Sequence, residues 1–228
     1  WIAQRSLSLC KHLAQAGCDA IVVACNTATA EAIKDIRAAI PIPIVGVEPG
    51  IKPAAMQSAN GIVGVLATEA TLNSDKFNAL LSTLPNHCQF IKQAGAGLVP
   101  LIEAGKANDG ETLELLAKHL EPIQAAGSDT IVLGCTHYPF LRKAIRKLLG
   151  DKITLIDTSE AVVKQLKRQL EALALNQTDS ANSDSSQYGA VHFFSSKDEQ
   201  ALLKMAQDLM HTDLKNHRVS TAQLGSVS

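Results

Sequence analysis

Aromatic residues make up only 4% of the 228-residue chain, with one Trp, two Tyr and five Phe. So sparse a set offers no stacking platform for single-stranded nucleic acid. An excess of charge is also missing: 21 Lys and Arg stand against 22 Asp and Glu, a net charge of −1. That balance supplies no basic stripe to neutralise phosphates and no acidic block to form a solvated tail. Direct nucleic-acid binding is therefore not expected. No apolar run approaches the roughly 18–20 residues that a membrane span requires, and the first ten residues read as amphipathic helix rather than as a leader. Cysteine is present without pairing: Cys10, Cys18, Cys25, Cys88 and Cys135 form no CxxC and no disulfide spacing. Individual thiols of this kind point to a reducing cytoplasm. No Walker motif occurs, and Gly95-Ala96-Gly97 has none of the remaining dinucleotide fingerprint around it.

What is present is 46% apolar sequence in a repeating order. Length alone allows one or two domains at roughly 150 residues each. Short β-branched runs alternate with longer helical patterns. Strands are expected over 20–24, 42–47, 61–66, 87–91, 130–133 and 153–156. Helices are expected over 6–16, 29–39, 52–58, 71–82, 97–104, 111–125, 139–149 and 159–172, with Ser159 as a cap. Residues 176–187 are dominated by Asn, Ser, Asp, Thr and Gln; they read as a polar surface loop or disordered insertion. A strand over 190–194, a helix over 199–210 and a last strand over 218–222 follow. Strands as apolar as Ile21-Val22-Val23 and Ile131-Val132-Leu133 predict parallel sheets covered on both faces.

One segment occurs twice. Gly17-Cys18-Asp19-Ala20-Ile21-Val22-Val23-Ala24-Cys25-Asn26-Thr27 aligns without gaps on Gly127-Ser128-Asp129-Thr130-Ile131-Val132-Leu133-Gly134-Cys135-Thr136-His137, at a constant offset of 110 residues. Val and Ile recur in any parallel strand, but Gly, Asp and Cys in fixed register indicate duplication of a half-molecule. Each repeated Cys stands at the carboxyl end of a strand, where open α/β sheets bind ligands. Each is followed by small polar residues that open a helix, whose free N–H groups can seat a carboxylate and favour a thiolate. If the halves face each other, two thiols flank one cavity. Inversion at a carbon acid needs that arrangement and no cofactor. One thiolate removes the Cα proton, and the opposite thiol delivers a proton to the other face. Donors around the carboxylate stabilise the charge that spreads onto it.

These motifs resemble those of the glutamate racemases of the aspartate/glutamate racemase family. The matching stretches are Val23-Ala24-Cys25-Asn26-Thr27-Ala28, Pro43-Ile44-Val45-Gly46-Val47-Glu48-Pro49 and Leu133-Gly134-Cys135-Thr136-His137-Tyr138-Pro139, with Lys52-Pro53-Ala54 and Pro100-Leu101-Ile102-Glu103 beside them. The resemblance implies a cofactor-independent racemase that interconverts L- and D-glutamate for peptidoglycan synthesis. It implies catalytic roles for Cys25, on the D-enantiomer, and Cys135, on the L-enantiomer. Glu103 and His137 would assist Cys135. Asn26, Thr27, Thr71, Thr136 and His137 would contact substrate. The implied fold is two pseudo-symmetric α/β domains with the site in the cleft between them. Residues 1–49 plus 160–228 would form the first domain and 50–159 the second. A homodimer is implied, as is DNA gyrase as a second partner in some relatives. The family also opens with a strand ending in Asp-Ser-Gly and then a Tyr-Gly segment, and neither stands ahead of Cys25 here. The chain is thus expected to lack the first strand-and-helix unit and to be weakly active or inactive as it stands.

Other readings stay open on the residues themselves. The same architecture serves aspartate or hydantoin racemases, since pocket shape sets substrate size. A ligand- or protein-binding fragment without turnover is a second class. A thiol hydrolase built on Cys135 and His137 is a third, against which the second cysteine counts. Cys135 and His137 could ligate a metal, but zinc wants three or four ligands and no further cluster has the spacing, so no metal is expected. Cys10, Cys18 and Cys88 read as small buried apolar residues. His12, His87, His119, His192, His211 and His217 read as surface or capping groups. Glu103, among Val99, Leu101 and Ile102, could simply mark the wet face of a helix.

Overall fold

A computed structural model describes residues 1–84, 87–173, 192–195, 199–210 and 218–221 of the chain. The polar segment 176–187, His211 and His217 lie outside the described residues. Two compact units are present, Trp1–Leu166 and Lys167–Ser228.

In the first unit, helix α1 (Ile2–Gln15) leads to strand β1 (Ile21–Val23), helix α2 (Asn26–Ala39) and strand β2 (Ile44–Gly46). β1 and β2 pair in parallel, Ile21 opposite Ile44 and Val23 opposite Gly46. Helix α3 (Ile51–Gln57) then opens a second array: β3 (Ile62–Ala67), α4 (Glu69–Asn73), α5 (Asp75–Leu81), β4 (Gln89–Ala94), α6 (Leu98–Glu103), α7 (Gly110–Ala125), β5 (Thr130–Gly134), a 3-10 turn (Tyr138–Leu141), α8 (Arg142–Leu149), β6 (Thr154–Ile156) and α9 (Ser159–Ala172). Its strands form one sheet in the order β4-β3-β5-β6. Every pairing in it is parallel, as the apolar runs predict. β5 is buried along its whole length, because helices cover both faces of a sheet whose strands are joined by crossovers.

Each sheet has its own core. Ile21, Val23 and Ile44 pack with Cys10 of α1 and with Ala32, Ile33 and Ile36 of α2. Val63, Val65 and Val132 pack with Ile51, Leu72, Phe77 and Ile156. Each fully buried Ile, Leu or Phe contributes roughly 1.5–3 kcal/mol of apolar transfer. Gly64 on β3 has a packing reason: a Cβ there would collide with Ile123 of α7. The bare backbone lets that helix sit directly on the central strand.

The sequence repeat is a repeat of structure. α1 ends on Gly17 at φ 88° and α7 ends on Gly127 at φ 75°, the left-handed conformation that glycine adopts at low cost. The amide of Cys18 donates to Leu13 O at 3.2 Å and that of Gly17 to Ala14 O at 3.1 Å. The amide of Ser128 donates to Ile123 O at 3.2 Å and that of Gly127 to Gln124 O at 2.9 Å. These are the same two capping bonds in the same register. The halves diverge after the cysteine. Helix α2 starts at Asn26, directly after Cys25, whereas Cys135 is followed by a 3-10 turn. Pro139 lacks the N–H an α-turn would use, so the helix expected over 139–149 becomes Tyr138–Leu141 and then Arg142–Leu149.

Two other elements differ from the expectation. The helix foreseen over 71–82 is interrupted at Ser74, which adopts φ −70°, ψ 142°. Its hydroxyl donates to Thr71 O at 2.8 Å and accepts from the Phe77 amide at 3.2 Å. Ser74 thus starts a new helix with its side chain instead of continuing the old one. The strand expected over 87–91 runs from Gln89 to Ala94, because all six of its residues take partners along β3, from Ile62 to Ala67. In the second unit, β7 (His192–Ser195) pairs in parallel with β8 (Arg218–Thr221), and α10 (Glu199–Met210) joins them.

Asp129, at the mouth of β5, fastens the turn between α3 and β3. Its carboxylate accepts from Ser58 Oγ at 2.7 Å, the amides of Ala59 and Asn60 at 2.7 and 2.9 Å, and Thr130 Oγ1 at 2.9 Å. Desolvation pushes the carboxyl up, but these donors together outweigh it and hold it below the ordinary carboxylate range. A carboxyl depressed in the folded state stabilises the fold at pH above its unfolded value and loses that contribution as pH falls through the folded one. Asp129→Asn is expected to lose about 1 kcal/mol at pH 7, the site being partly exposed and screened. The deficit should shrink below about pH 4. Urea unfolding of both proteins at pH 7 and pH 3 checks this; a deficit that does not change with pH would contradict it.

Candidate active site

The two repeated cysteines occupy equivalent ends of strands in the two sheets of the first unit. Cys25 follows β1 and is the residue before the first turn of α2, with extended backbone at φ −137°, ψ 123°. Its carbonyl accepts the first helical bond, from the Thr29 amide at 2.9 Å. Its thiol is exposed. Cys135 follows β5 and is buried. Its carbonyl accepts from the Tyr138 amide at 3.0 Å, closing the turn that follows. All five cysteines are unbridged; Cys10 is buried as expected, whereas Cys18 and Cys88, also expected to be buried, are only partly so.

The surroundings of the two thiols differ. Burial pushes the Cys135 thiol above its ordinary range. The amides of His137 and Tyr138 favour its thiolate and pull the other way, while the charges of Cys25 and Glu103 push further upward. The effect of the Cys25 charge on Cys135 brings the two repeated cysteines into one electrostatic neighbourhood. Behind Cys135 stands a relay. Cys135 Sγ lies 3.8 Å from His137 Nδ1, and His137 Nε2 lies 3.0 Å from Glu103 Oε1. With Nε2 protonated, the ring donates to Glu103 and offers Nδ1 to the thiol proton. Glu103 is the last residue of α6 and is half-exposed, and its carboxylate meets His137 from there. Tyr138, fully buried, donates to Gly95 O at 3.1 Å and anchors the turn that carries His137.

Of the remaining expected site residues, Asn26, Thr71 and Thr136 wall two cavities and Thr27 walls neither. One, of about 200 Å³, is walled by Ala24, Asn26, Cys135, Thr136, Asp157 and Ser159 among others. It opens at the carboxyl ends of β1, β5 and β6. A neighbouring one, of about 260 Å³, is walled by Asn26, Thr29, Thr71, Phe77 and Leu80 among others. Asn26 belongs to both walls. Its side chain is 94% buried, with Oδ1 unpaired, and a buried polar atom in that state is poised for a ligand or water. Thr27 Oγ1 lies 3.0 Å from Thr68 Oγ1 and 3.1 Å from Thr71 Oγ1, and Thr68 donates to Thr71 at 2.9 Å. This ring of hydroxyls joins the first turn of α2 to α4. Cys25, Thr27, His137 and Glu103 are not among the residues walling either cavity.

Two residues of this region were not foreseen. Thr68 caps α4, accepting from the Thr71 amide at 3.2 Å; a Thr three residues ahead of Thr71 was the available signal. Asp157, not Ser159, serves the start of α9. Its Oδ1 accepts from the Ser159 amide at 2.9 Å, and its Oδ2 accepts from Arg142. No group of three or more His, Cys, Asp or Glu that could hold a metal occurs among the described residues. Among them, too, no helix is long and apolar enough to cross a membrane.

Comparison with known proteins bears on the family of the chain. Residues 1–166 match the Asp/Glu/Hydantoin racemase family. A glutamate racemase of Ralstonia nicotianae is 52% identical over 183 residues, 80% of this chain and 66% of that protein. One from Cupriavidus pinatubonensis is 44% identical over 223 residues, 96% of this chain and 79% of that protein. The chain therefore spans just under two thirds of the length of the Ralstonia protein. The crystal structure of Escherichia coli glutamate racemase, in complex with L-glutamate and the activator UDP-MurNAc-ala, superposes with a TM-score of 0.81 at 27% identity, covering 99% of this chain and 82% of that one. By sequence and by fold, the chain belongs to the Asp/Glu/hydantoin racemase family.

Proposed function

We propose that the chain carries out the cofactor-independent interconversion of L- and D-glutamate by a two-thiol mechanism. The observation that carries the reading is the duplicated strand–cysteine junction, with the charge of Cys25 felt at Cys135. Glutamate rather than aspartate or a hydantoin is favoured by the names of relatives at 44–52% identity. In this reading a thiolate at one cysteine takes the Cα proton. The electron pair left on Cα spreads into the α-carboxylate, and the thiol of the other cysteine returns a proton to the opposite face. By family resemblance Cys25 serves D-glutamate and Cys135 serves L-glutamate. His137 takes up the proton of the Cys135 thiol and Glu103 holds the ring in the needed tautomer. The amides opening α2 and the side chains of Asn26, Thr27, Thr71 and Thr136 bind the substrate.

The wider proposal follows the family. The two sheets with separate cores support a division at about residue 50, with 1–49 plus 160–228 and 50–159 as the two domains and the site in the cleft between them. The product would feed peptidoglycan synthesis in the cytoplasm, and a homodimer is the assembly assigned. The Cys135–His137–Glu103 relay is also what a thiol hydrolase uses, so the decisive test must read stereochemistry.

Proton NMR of L- and D-glutamate in deuterated water, without pyridoxal cofactor, provides it. Slow loss of the Cα proton signal together with inversion is expected. Exchange by the Cupriavidus relative but not by this chain would overturn the reading. Cys25→Ser and Cys135→Ser should each lower inversion by about 100-fold or more while the circular dichroism spectrum is retained. Full inversion in either variant removes the two-thiol mechanism.

The relay is one-sided, so its loss should be too. Glu103→Gln is expected to slow the L-to-D direction at limiting enzyme by about tenfold. Single-turnover proton exchange from D-glutamate should change much less. Equal loss of exchange from both enantiomers would show that Glu103 acts on the whole site and not through His137.

The unequal burial of the thiols is separately measurable. A thiolate is the alkylated form, and its fraction grows as pH rises toward the pKa. Because Cys135 is buried and titrates above its ordinary range, iodoacetamide at pH 7 should label Cys25 first. Cys135 labelling should catch up only above about pH 9. Peptide mapping by mass spectrometry reads the order; Cys135 labelled first at pH 7 would contradict it.

A further inference from the structure

Helix α7 supports the relay behind Cys135 from a distance. Thr112, Leu115 and His119 share one face of that helix, at spacings of three and four. Each meets a different point of α6 or of its flanking loops. Thr112, fully buried, donates its hydroxyl to Lys106 O at 2.7 Å, three residues beyond Glu103. Leu115 packs on Gly97, the cap residue of α6, where a Cβ would lie 3.1 Å from Leu115 Cδ2. His119 Nε2 lies 2.9 Å from Ala96 O, and its Nδ1 lies 3.3 Å from Gln93 Nε2. A carbonyl only accepts, so Nε2 carries the ring proton and Nδ1 accepts from the Gln93 amide. The two polar grips stand two turns apart on α7, about 10 Å, which matches the length of the six-residue α6.

Glu103 ends α6 with its side chain half-exposed, and its carboxylate meets His137 at 3.0 Å. That contact depends on where α6 lies. We propose that His119, together with Thr112, is a positioning residue for the reaction: it holds α6 by the loop ahead of it and so keeps Glu103 within reach of His137. This inference rests on the racemase reading above and adds a positioning residue to it. Tyr138 grips the same loop from the other side, donating to Gly95 O at 3.1 Å. The loop is thus tied both to α7 and to the turn that follows His137. A misplacement of about 1 Å in such an arrangement can cost about 100-fold in rate, and the loss of one grip among several costs less.

The test uses the whole 228-residue chain and reads both turnover and the thiol. His119→Leu removes both bonds of the ring, whereas His119→Gln keeps a donor for Ala96 O. His119→Leu should lower kcat for Cα-proton exchange from L-glutamate about fivefold with KM unchanged, and His119→Gln should restore the parent rate. Glu103→Gln, which costs about tenfold in the parent, should cost only about twofold in the His119→Leu background, because the relay is already weakened there. Iodoacetamide at about pH 9 should label Cys135 about threefold more slowly in His119→Leu, since a misplaced Glu103 leaves His137 a poorer acceptor for the thiol proton. A mere loosening of the fold would expose the buried thiol and speed its labelling. Thr112→Val keeps the shape and removes the other hydroxyl grip; it should show the same slowing, which provides a reading even if His119→Leu does not fold. Costs that multiply in the double variant, a rise in KM, no rescue by His119→Gln, or faster labelling each overturn the proposal. A parent chain that exchanges no Cα proton refutes the racemase reading instead, and the labelling rates still decide whether His119 acts on the relay.

Discussion

A parallel strand that runs straight into a helix brings two things to one point: the end of its own side-chain row and the unpaired amides of the helix that follows. The rest of the site depends on that constraint. It is met at Cys25, where α2 begins one residue later, and in altered form at Cys135, where Pro139 turns the chain through a 3-10 segment first. The same sequence of glycine cap, Asp, apolar strand and cysteine thus yields an exposed thiol beside an α-helix in one half. In the other half it yields a buried thiol backed by a histidine.

That asymmetry has chemical consequences. A two-base racemase needs its bases to be equivalent in function, since each must give and take the same proton. Cys135 is raised by burial and stands 3.8 Å from the ring of His137, which in turn meets Glu103. Cys25 lies open directly before a helix start. Two unlike surroundings can then perform one task from opposite faces. The ring of Thr27, Thr68 and Thr71 joins α2 to α4 by hydroxyl contacts of 2.9–3.1 Å, so the first turn after Cys25 is held against the second array while the hydroxyls remain able to re-pair with a ligand.

Stability and function meet at the same junctions. Asp129 belongs to the repeated segment and could be mistaken for a site residue. Its carboxylate is instead satisfied by Ser58, Ala59, Asn60 and Thr130 at the opposite end of β5 from Cys135. Asp157 stands at the carboxyl end of β6 and faces the cavity. In a parallel sheet the two ends of a strand have different work. The amino end anchors turns and the carboxyl end meets ligands.

The sequence by itself determined the alternation of strand and helix and the parallel sheets, and it named candidate residues for the chemistry. Parallel strands buried on both faces must be continuously apolar, and a duplicated Gly-Asp-strand-Cys segment is legible without coordinates. The helix over 159–172 was read to the residue because its amphipathic period is unbroken. Local signals failed where a side chain competes with the backbone, as at Ser74, or where a neighbour sets the limits, as β3 does for β4. Only the tertiary structure decided which expected residues stand together. Asn26, Cys135 and Thr136 share a cavity, Thr71 lines the next one, and Glu103 reaches His137 across 34 positions of sequence. It alone brought Asp157 to the wall, since an Asp ahead of a helix announces a cap and says nothing of what lies on its other side. The burial of a thiol and the distance between charges arise from packing between segments far apart in the chain, and no pattern along a single segment encodes them.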